Sequence, residues 1–408
     1  MSGSGGPSRS VVCTIPFPAN TGYAWTYIER LCAGLADDAA AAGVTTYVAY
    51  TEIAEPPRAL AGSRAVPVVL DLRPGGPARF AEQLRFLRQH RVRVLYLSEG
   101  PTYDPRYLVW RLAGVRRIVV HNHASTPIRP AAGWRRGIKR ARGSVAWTRA
   151  DLVIAVSDFV ARREREGALT PAGAVERLWN AVALPDPATF AEARRRVRAE
   201  LGIPPGAVVV CATCRATRDK GIFHLLRAFD ALQAVHRAKA GAPELHLVHV
   251  GGGPDLDEFR RTAAGLPAGG RIHFAGQQPS ASPYLAAADV AAVPSTFHEA
   301  LGLAALEALA HGKPVVGSDI GGIPEAVRDG VDGLLVAPGD EAGLCRALGT
   351  LVDDPARAAR MGAAGRARVA AEFDPGRMRR RLFDLVLPPA LRRGTGDGVP
   401  LGQAAAGG

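Results

Sequence analysis

The sequence predicts an α/β protein built from two Rossmann-like, doubly wound domains that face each other across a cleft. Short apolar runs alternate with amphipathic helical segments over most of the chain, which is typical of parallel strands covered on both faces. The runs form two series, separated by a polar, proline-bearing stretch at residues 183–190. The chain has 408 residues, 47% of them hydrophobic, which is enough for two domains with buried cores.

The first series predicts an N-terminal domain over residues 11–185. Helical patterns at residues 24–41 and 78–90 fall between apolar runs. The runs that we interpret as strands begin at Val11, Thr45, Val92, Arg117 and Leu152.

The second series predicts a C-terminal domain over residues 186–373. Residues 374–387 form a further helix, which either ends this domain or crosses back to the first. Residues 1–10 and 388–408 are rich in Gly, Ser or Pro without apolar periodicity and are predicted to be disordered tails. The strands of this series begin at Ala207, Leu245, Arg271, Asp289, Pro314 and Gly333.

Composition limits the function classes. The 51 basic residues exceed the 38 acidic ones by 13, which favours phosphorylated ligands, acidic membrane surfaces or nucleic acid. Five cysteines, an odd number, do not form a secreted disulfide framework. The chain also lacks a recognisable export signal and any apolar run of about 18 residues. We therefore expect a cytoplasmic protein.

The run of residues 298–314 holds two glutamates, Glu299 and Glu307, in an otherwise almost wholly apolar stretch. The pattern predicts a strand, a loop that carries Glu299, and a helix that contains Glu307 and stops at Gly312. Ligands of open parallel sheets bind beyond the carboxyl ends of strands. Carboxylates there suit a hydroxyl-rich ligand, and the free N–H groups near residues 301–303 suit an anion. Alternatively, both glutamates are ordinary charges on a helix.

Two cations follow the first strand of the second series. Arg215 comes directly after the strand, and Lys220 lies at the start of the next helix. Fixed cations at a strand end neutralise a diphosphate leaving group without a metal. A solvated basic loop is the alternative interpretation.

Three further motifs lie in the second series. Gly251 to Gly253 would allow a ligand to approach the backbone closely. Asp255 and Asp257 are interpreted as helix-start acids rather than metal ligands. The CATC motif, Cys211 to Cys214, has redox spacing but no second pair for zinc, so we assign it a structural role.

Residues 294–340, with these cations, resemble the retaining glycosyltransferases of family 4. The signature of that family is E-x(7)-E in a B-type fold of two Rossmann-like domains, and the Arg215 to Lys220 spacing resembles its diphosphate-binding pair. The segment around Asn180 is similar to the end of its first domain. The resemblance implies a nucleotide diphosphate sugar held by the second domain, an acceptor (sugar, lipid or small molecule) on the first, and a crossing C-terminal helix.

The resemblance also implies roles for individual residues. Glu299 would contact the hydroxyls of the donor sugar, Glu307 those of the ribose, and Arg215 with Lys220 would hold the diphosphate. The backbone of Ala300, Leu301, Gly302 and Leu303 would receive sugar or phosphate oxygens.

In the first domain, His123 would lie beside the transferred sugar in a better register than His121. Gly22, the single glycine of the loop PANTGY, would approach the donor. No G-x-G-x-x-G follows the first strand, which argues against a dinucleotide-binding fingerprint. The preferred mechanism is a front-face displacement with retention, and this preference comes from the family.

Residues 134–149 carry six cations and two tryptophans. They are expected either to dock on an acidic membrane surface, as in membrane-associated members of the family, or to form a solvated helix face. Aromatic residues amount to only 6% and are not interleaved with the basic run, so nucleic acid is not expected as a partner.

Two rival functions stay open at the level of sequence. The first is a nucleotide-sugar epimerase or hydrolase of the same fold. The second is a non-catalytic protein that binds polyanions.

Overall fold

The computed structural model describes residues 9–123, 125–128, 133–134, 136–137, 141 and 145–392. Two separate sheets, each with all of its strands parallel, confirm the predicted α/β class with two Rossmann-like units.

The first sheet has seven strands in the order β3-β2-β1-β4-β5-β6-β7. Buried side chains cover both of its faces. The strands are β1 (Arg9–Ile15), β2 (Val44–Tyr50), β3 (Val66–Val69), β4 (Val92–Ser98), β5 (Arg117–Asn122), β6 (Leu152–Ala155) and β7 (Val175–Arg177). The helices are α1 (Tyr23–Ala41), α2 (Pro77–Gln89), α3 (Arg106–Leu112) and α4 (Asp158–Arg162).

The second sheet has six strands in the order β10-β9-β8-β11-β12-β13. Its two faces are likewise buried. The strands are β8 (Val208–Thr213), β9 (Leu245–Val250), β10 (Ile272–Gly276), β11 (Val290–Val293), β12 (Val315–Ser318) and β13 (Gly333–Val336). The helices are α5 (Phe190–Glu200), α6 (Ile222–Arg237), α7 (Leu256–Ala264), α8 (Ser282–Ala287), α9 (Leu303–Ala310), α10 (Ile323–Ala326), α11 (Glu341–Asp353), α12 (Pro355–Glu372), α13 (Pro375–Val386) and α14 (Pro389–Arg392).

The structure adds two strands to the sequence prediction. β3 and β7 form the two edges of the first sheet and have only four and three residues. In β3, Pro67 interrupts the apolar run, and Val66 and Val69 are 40% and 59% exposed. An edge strand tolerates proline and exposure because one side of it makes no ladder, so neither run carried a strong strand signal.

The predicted tails are shorter than expected where the structure describes them. β1 begins at Arg9, and Ser10 is buried, so residues 9 and 10 belong to the sheet. At the other end, α14 falls inside the segment of residues 388–408 that we predicted to be disordered. Residues 1–8 and 393–408 lie outside the described residues.

The carboxyl edges of the two sheets face each other. Glu325, on α10 after β12, accepts hydrogen bonds from the backbone N–H groups of Asp158 and Phe159 (both 2.7 Å) and from the indole N–H of Trp179 (3.1 Å). The Phe159 ring, on α4 after β6, also stacks on His298, with 5.5 Å between centroids. These contacts join residues that follow strands of both sheets, so a cleft opens between the two edges.

The chain passes between the sheets twice, and the two passages lie side by side. The N–H of Val182 donates to the carbonyl of Phe373 (3.2 Å), and the Trp179 and Phe373 rings are 5.0 Å apart. Beyond Phe373, α13 packs against the first sheet, where Met378, Leu382 and Val386 join its buried cluster. The helix at residues 374–387 therefore follows the second of its two predicted courses. None of the helices described in the structure is long and apolar enough to cross a bilayer.

Candidate active site between the two sheets

The order of the second sheet places two loops at one point of the cleft. Chain order reverses between the neighbouring strands β8 and β11. The loop after β8 carries Arg215 and Lys220, and the loop after β11 carries Glu299. Crevices at such reversals are where open parallel sheets bind ligands.

The two loops are fixed to each other through their backbones. The N–H of Thr296 donates to the carbonyl of Asp219 (2.9 Å). Gly221, at the start of α6, has φ +69°, and a Cβ there would lie 1.9 Å from the carbonyl oxygen of Pro294. Only glycine satisfies both requirements, so the residue after Lys220 sets how closely the loops approach.

Lys220 and Glu299 form an ion pair across this junction. The Lys220 Nζ lies 2.6 Å from Glu299 Oε1, and their side chains are 16% and 17% exposed. Ser295 Oγ donates to the same carboxylate oxygen (2.8 Å), and the ammonium also lies 4.4 Å from the centre of the Phe297 ring. The pair is thus held from several sides while part of it faces the cleft.

A glycine pair supports the loop that bears Glu299. The N–H of Gly322 donates to the Glu299 carbonyl (2.8 Å). A Cβ on Gly321 would lie 2.5 Å from that carbonyl oxygen, and one on Gly322 would lie 2.3 Å from the Ala300 carbonyl oxygen. The loop after β12 therefore serves as a backbone support for the glutamate.

The start of α9 has the properties of an anion site. Gly302 adopts the left-handed conformation (φ 84°) and caps the helix without a side-chain hydrogen bond. Its carbonyl accepts from the N–H groups of Ala305 and Leu306. For Leu303 and Ala304 the described residues provide no backbone acceptor, so these N–H groups keep the positive end of the helix dipole available.

The remaining predicted residues of this loop differ in exposure. The side chain of Leu301 is buried in the core of the second domain, so only its backbone is able to meet a ligand. Ala300 packs against the buried cluster of the first domain that contains Phe159, which makes it an interdomain contact as well as a predicted donor contact. Glu307 lies inside α9, as expected, and is partly exposed.

Arg215 lies in the loop after β8 and is exposed. No ion pair involves its guanidinium within the described chain. The neighbouring Arg218 differs, because it pairs with Glu258 and Asp255 and lies over the Phe223 ring. The loop thus offers Arg215 and Lys220 to the cleft while Arg218 holds the loop to α7.

The acids behind the site lie at a helix start as predicted, with Asp255 at the cap position and Asp257 in the first turn of α7, whereas the glycine run has neighbours that the sequence does not reveal. A Cβ on Gly251 would lie 1.9 Å from the Cys214 carbonyl oxygen, and one on Gly253 would lie 2.4 Å from that of Ala216. These glycines admit the backbone of the Arg215 loop. Asp255 occupies the cap position of α7 but accepts from the N–H of Arg218 (2.8 Å) instead of its own helix.

The thiols near the site are protonated. Burial raises the pKa of Cys211 and of Cys214 to about 12. Cys214 Sγ lies 3.7 Å from His249 Nε2, and burial lowers the pKa of His249 to about 4. The thiols and the imidazole behind Arg215 are therefore neutral near pH 7, which is consistent with the structural role assigned to CATC.

The first sheet brings two histidines to the cleft edge. His121, inside β5, is buried, and its Nδ1 shares a hydrogen bond with the Tyr96 hydroxyl (2.5 Å). His123 follows the strand, is partly exposed, and has a buried Nε2 with no partner among the described residues. Burial lowers the pKa of His123 to about 4, so its ring is neutral near pH 7 and able to donate or accept one hydrogen bond.

Gly22 caps α1 with φ +90°, and a Cβ there would meet nothing within 4 Å. This glycine is exposed and does not contact the Lys220–Glu299 pair in the structure. No group of three or more His, Cys, Asp or Glu side chains suited to a metal ion is found over the described ranges.

Sequence reasoning did not single out Ser295, Phe297, Trp179 or Glu325 as functional. The first two orient the ion pair, and the last two join the domains. All four lie in segments that resemble the family. No spacing or periodicity, however, reveals which side chains meet across the cleft.

The fold is the B-type fold of glycosyltransferases. The structure of a glycosyltransferase from Rickettsia africae ESF-5 is similar over 94% of this chain and 99% of that one, with a TM-score of 0.77 at 16% identity. Anabaena Alr3699/HepE in complex with UDP-glucose matches 92% of this chain and 98% of its own, with a TM-score of 0.72 at 20% identity.

Sequence comparison gives the family. The family described as "Glycosyl transferases group 1" matches residues 193–368. The GDP-mannose-dependent alpha-(1-6)-phosphatidylinositol monomannoside mannosyltransferase of Mycolicibacterium smegmatis is 32% identical over 304 residues, 71% of this chain and 75% of that protein. Its namesake from Mycobacterium tuberculosis H37Rv is 30% identical over 403 residues, 93% and 98% of the two chains. The chain belongs to the group 1 glycosyl transferases.

Proposed function

We propose that this glycosyltransferase transfers a sugar from a nucleotide diphosphate donor to an acceptor hydroxyl with retention of configuration, as resemblance to family 4 and its E-x(7)-E signature implies. The observation that carries the proposal is the 2.6 Å pair of Lys220 and Glu299 at the reversal point of the second sheet. This pair places a cation that would bind phosphate beside a carboxylate that would accept hydrogen bonds from sugar hydroxyls.

The donor would lie along the carboxyl edge of the second sheet. Arg215, Lys220 and the N–H groups at the start of α9 would surround the diphosphate, while Glu299 accepts from the sugar and Glu307 from the ribose. Lys220 and the start of α9 are fixed before the ligand arrives, so they stabilise the charge that grows on the departing diphosphate without reorganising. Two cations with a helix N-terminus supply this charge themselves, and we therefore propose metal-independent transfer.

In this mechanism the acceptor attacks from the face that the diphosphate leaves. The leaving phosphate takes the proton of the acceptor hydroxyl, and the new glycosidic bond forms as the bond to phosphate breaks. His123 would donate a hydrogen bond to the donor sugar as a neutral imidazole. Its low pKa makes this role independent of pH above about pH 5.

A donor panel tests the proposal. GDP-mannose comes first, since two relatives carry it in their names, followed by UDP-, ADP- and TDP-sugars. The matching donor should raise the melting temperature by mass action. Product mass and the NMR coupling of the anomeric proton should then show transfer with retention, and EDTA should leave the rate unchanged.

Other outcomes would select the rival functions. Free sugar or an epimer formed without an acceptor would indicate a hydrolase or an epimerase. No thermal shift with any nucleotide sugar, together with polyanion binding that falls steeply with salt, would indicate a binding protein.

We also propose peripheral docking on acidic lipid through residues 134–149, much of which lies outside the described residues. Trp134 and Trp147 are 73% and 48% exposed, as expected for side chains that insert at a membrane interface. Flotation with vesicles of anionic and of neutral lipid tests this part, and equal binding to both would contradict it.

A further inference from the structure

A cavity separate from the Lys220–Glu299 site lies in the first domain, where the strand order of its sheet reverses between β1 and β4. It has a volume of about 230 Å³ and lies beyond the carboxyl ends of β1, β2 and β4. Its walls are mostly apolar, with Ile15, Leu72, Leu97, Tyr107 and Trp110 among them. For comparison, an apolar cavity of about 150 Å³ holds benzene. This cavity therefore fits one aromatic ring or a group of similar size.

Three residues that line the cavity have a polar group without a hydrogen-bond partner among the described residues, namely the Ser98 hydroxyl, the Trp110 indole N–H and the Glu99 carboxylate. Ser98 is 1% exposed and lines the cavity, yet its Oγ has no hydrogen-bond partner among the described residues. Its backbone N–H already donates to Thr14 Oγ1 (3.2 Å). Buried hydroxyls nearly always have a partner, and an apolar cavity with one such hydroxyl points to a ligand that supplies it.

Glu99, the next residue along the cavity wall, has an unusual backbone. Its φ is +59°, a conformation that costs a side-chain-bearing residue free energy. The N–H of Glu99 donates to the His121 carbonyl (3.0 Å), which fixes this conformation. The side chain is exposed at the cavity mouth, and no hydrogen bond to its carboxylate is found within the described chain. The other acid that lines the cavity is engaged, since Asp71 pairs with Arg73 and Arg79.

The electrostatic surroundings agree with a carboxylate held for a ligand. Although Glu99 as a whole residue is exposed, neighbouring groups partly desolvate its carboxylate and raise its pKa, and Arg163 acts in the opposite direction.

The buried cluster that lines the cavity extends to the second domain, since it contains both Leu97 and Phe159 and Ala300 packs against it. Arg163 follows α4, whose Phe159 ring stacks on His298, the residue before Glu299. Glu99 lies beside the end of β5, because its N–H donates to the His121 carbonyl, and His123 follows that strand.

We propose that this cavity binds the acceptor, that it takes a compact apolar group of about one ring, and that Glu99 receives a hydrogen bond from an acceptor hydroxyl other than the one that reacts. The inference rests on the proposed function, because it assigns the acceptor side of the same reaction. It predicts an acceptor that carries an aryl group, such as an aryl glycoside, rather than a plain sugar or a methyl glycoside.

Binding without donor tests the cavity directly. The probes are 4-nitrophenyl β-D-glucopyranoside and methyl β-D-glucopyranoside, which differ only in the apolar group, titrated by calorimetry. The aryl glycoside should bind at least tenfold more tightly. Ala49→Leu adds carbons to a buried wall residue and should abolish the advantage of the aryl group. Ser98→Ala should weaken aryl binding by roughly three- to tenfold and leave the melting temperature unchanged or higher, since the lost hydroxyl has no partner.

Turnover tests Glu99. Glu99→Gln should lower kcat/KM for the aryl acceptor while the KM for the donor stays unchanged, and the exposed Glu55→Gln should change neither. Equal or absent binding of the two probes, or an aryl advantage that survives Ala49→Leu in a folded variant, would overturn the proposal. Thermal shifts with GDP and UDP distinguish a failure of this proposal from a failure of the proposed function, because these shifts report on the donor site alone.

Discussion

Lys220 and Glu299, which lie 79 positions apart in the chain, meet at 2.6 Å where the loops after β8 and β11 join. Each residue keeps the other in place, and each remains partly exposed to the cleft. A ligand with a phosphate and hydroxyls finds both groups oriented before it binds, which reduces the free energy spent on ordering them.

Removing the cation of this pair should impair catalysis more than folding. Lys220→Gln is expected to lower kcat by about 100-fold, the usual effect of deleting one group that stabilises developing negative charge. The matched control is Lys239→Gln, since Lys239 is 45% exposed and pairs with Asp353 away from the site. Steady-state kinetics with the identified donor measures both variants, and equal rates for the two would contradict the assignment.

The two glutamates of the motif should differ in kinetic effect. Glu299→Gln should mainly lower kcat, because its partner hydroxyls belong to the sugar that reacts. Glu307→Gln should raise the KM for the donor roughly 10-fold with a smaller change in kcat, because the ribose keeps its position during transfer. Unchanged kinetics in both variants would refute the roles proposed for them.

Glu325 should hold the domains together. Its carboxylate accepts three hydrogen bonds from the first domain. Glu325→Ala removes the acceptor of all three and should lower the free energy of unfolding by roughly 2 kcal/mol. We expect a lower melting temperature, faster hydrogen exchange at the amides of Asp158 and Phe159, and slower turnover. The exposed Glu82→Ala serves as the control. Unchanged exchange at the two amides would show that the contact does not hold the cleft.

These cases show what the sequence predicts and where prediction stops. The strand and helix periods place Lys220, Glu299 and Glu307 on loops and a helix at the correct edge, because side-chain patterns depend on local burial. The contacts of Gly251 and Gly253 could not be predicted from the sequence, since the oxygens that fill the space beside them belong to Cys214 and Ala216, in a loop 35 or more positions earlier in the chain. Glu325 and Ser98 are ordinary residues in sequence and become informative only through their neighbours.

Acid should destabilise the protein through His249. Burial lowers the pKa of this residue from 6.5 to about 4, so the unfolded chain binds a proton over a pH range in which the folded protein does not. Stability is then complete above pH 6.5 and declines as the pH falls towards 4. The folded and unfolded pKa values differ by about 2.5, which corresponds to a loss of roughly 3 kcal/mol in the free energy of unfolding. His249→Leu should flatten this decline in urea titrations at pH 7, 6 and 5, and an unchanged slope would contradict the prediction.

A pair of glycines separates backbone strain from close approach. Gly221 and Gly43 have nearly the same φ, +69° and +71°, but a Cβ on Gly221 would lie 1.9 Å from the Pro294 carbonyl oxygen while one on Gly43 would meet nothing within 4 Å. Gly43→Ala should therefore cost only the strain of the left-handed conformation, about 1 kcal/mol in the free energy of unfolding. Gly221→Ala should cost several times more and should also abolish the thermal shift with nucleotide, because it separates the loop of Lys220 from the loop of Glu299. Urea unfolding and thermal shifts with GDP and UDP measure both effects. Equal costs for the two variants would show that the junction is not closed by this contact, and a normal nucleotide shift in Gly221→Ala would show that donor binding does not depend on the approach of the two loops.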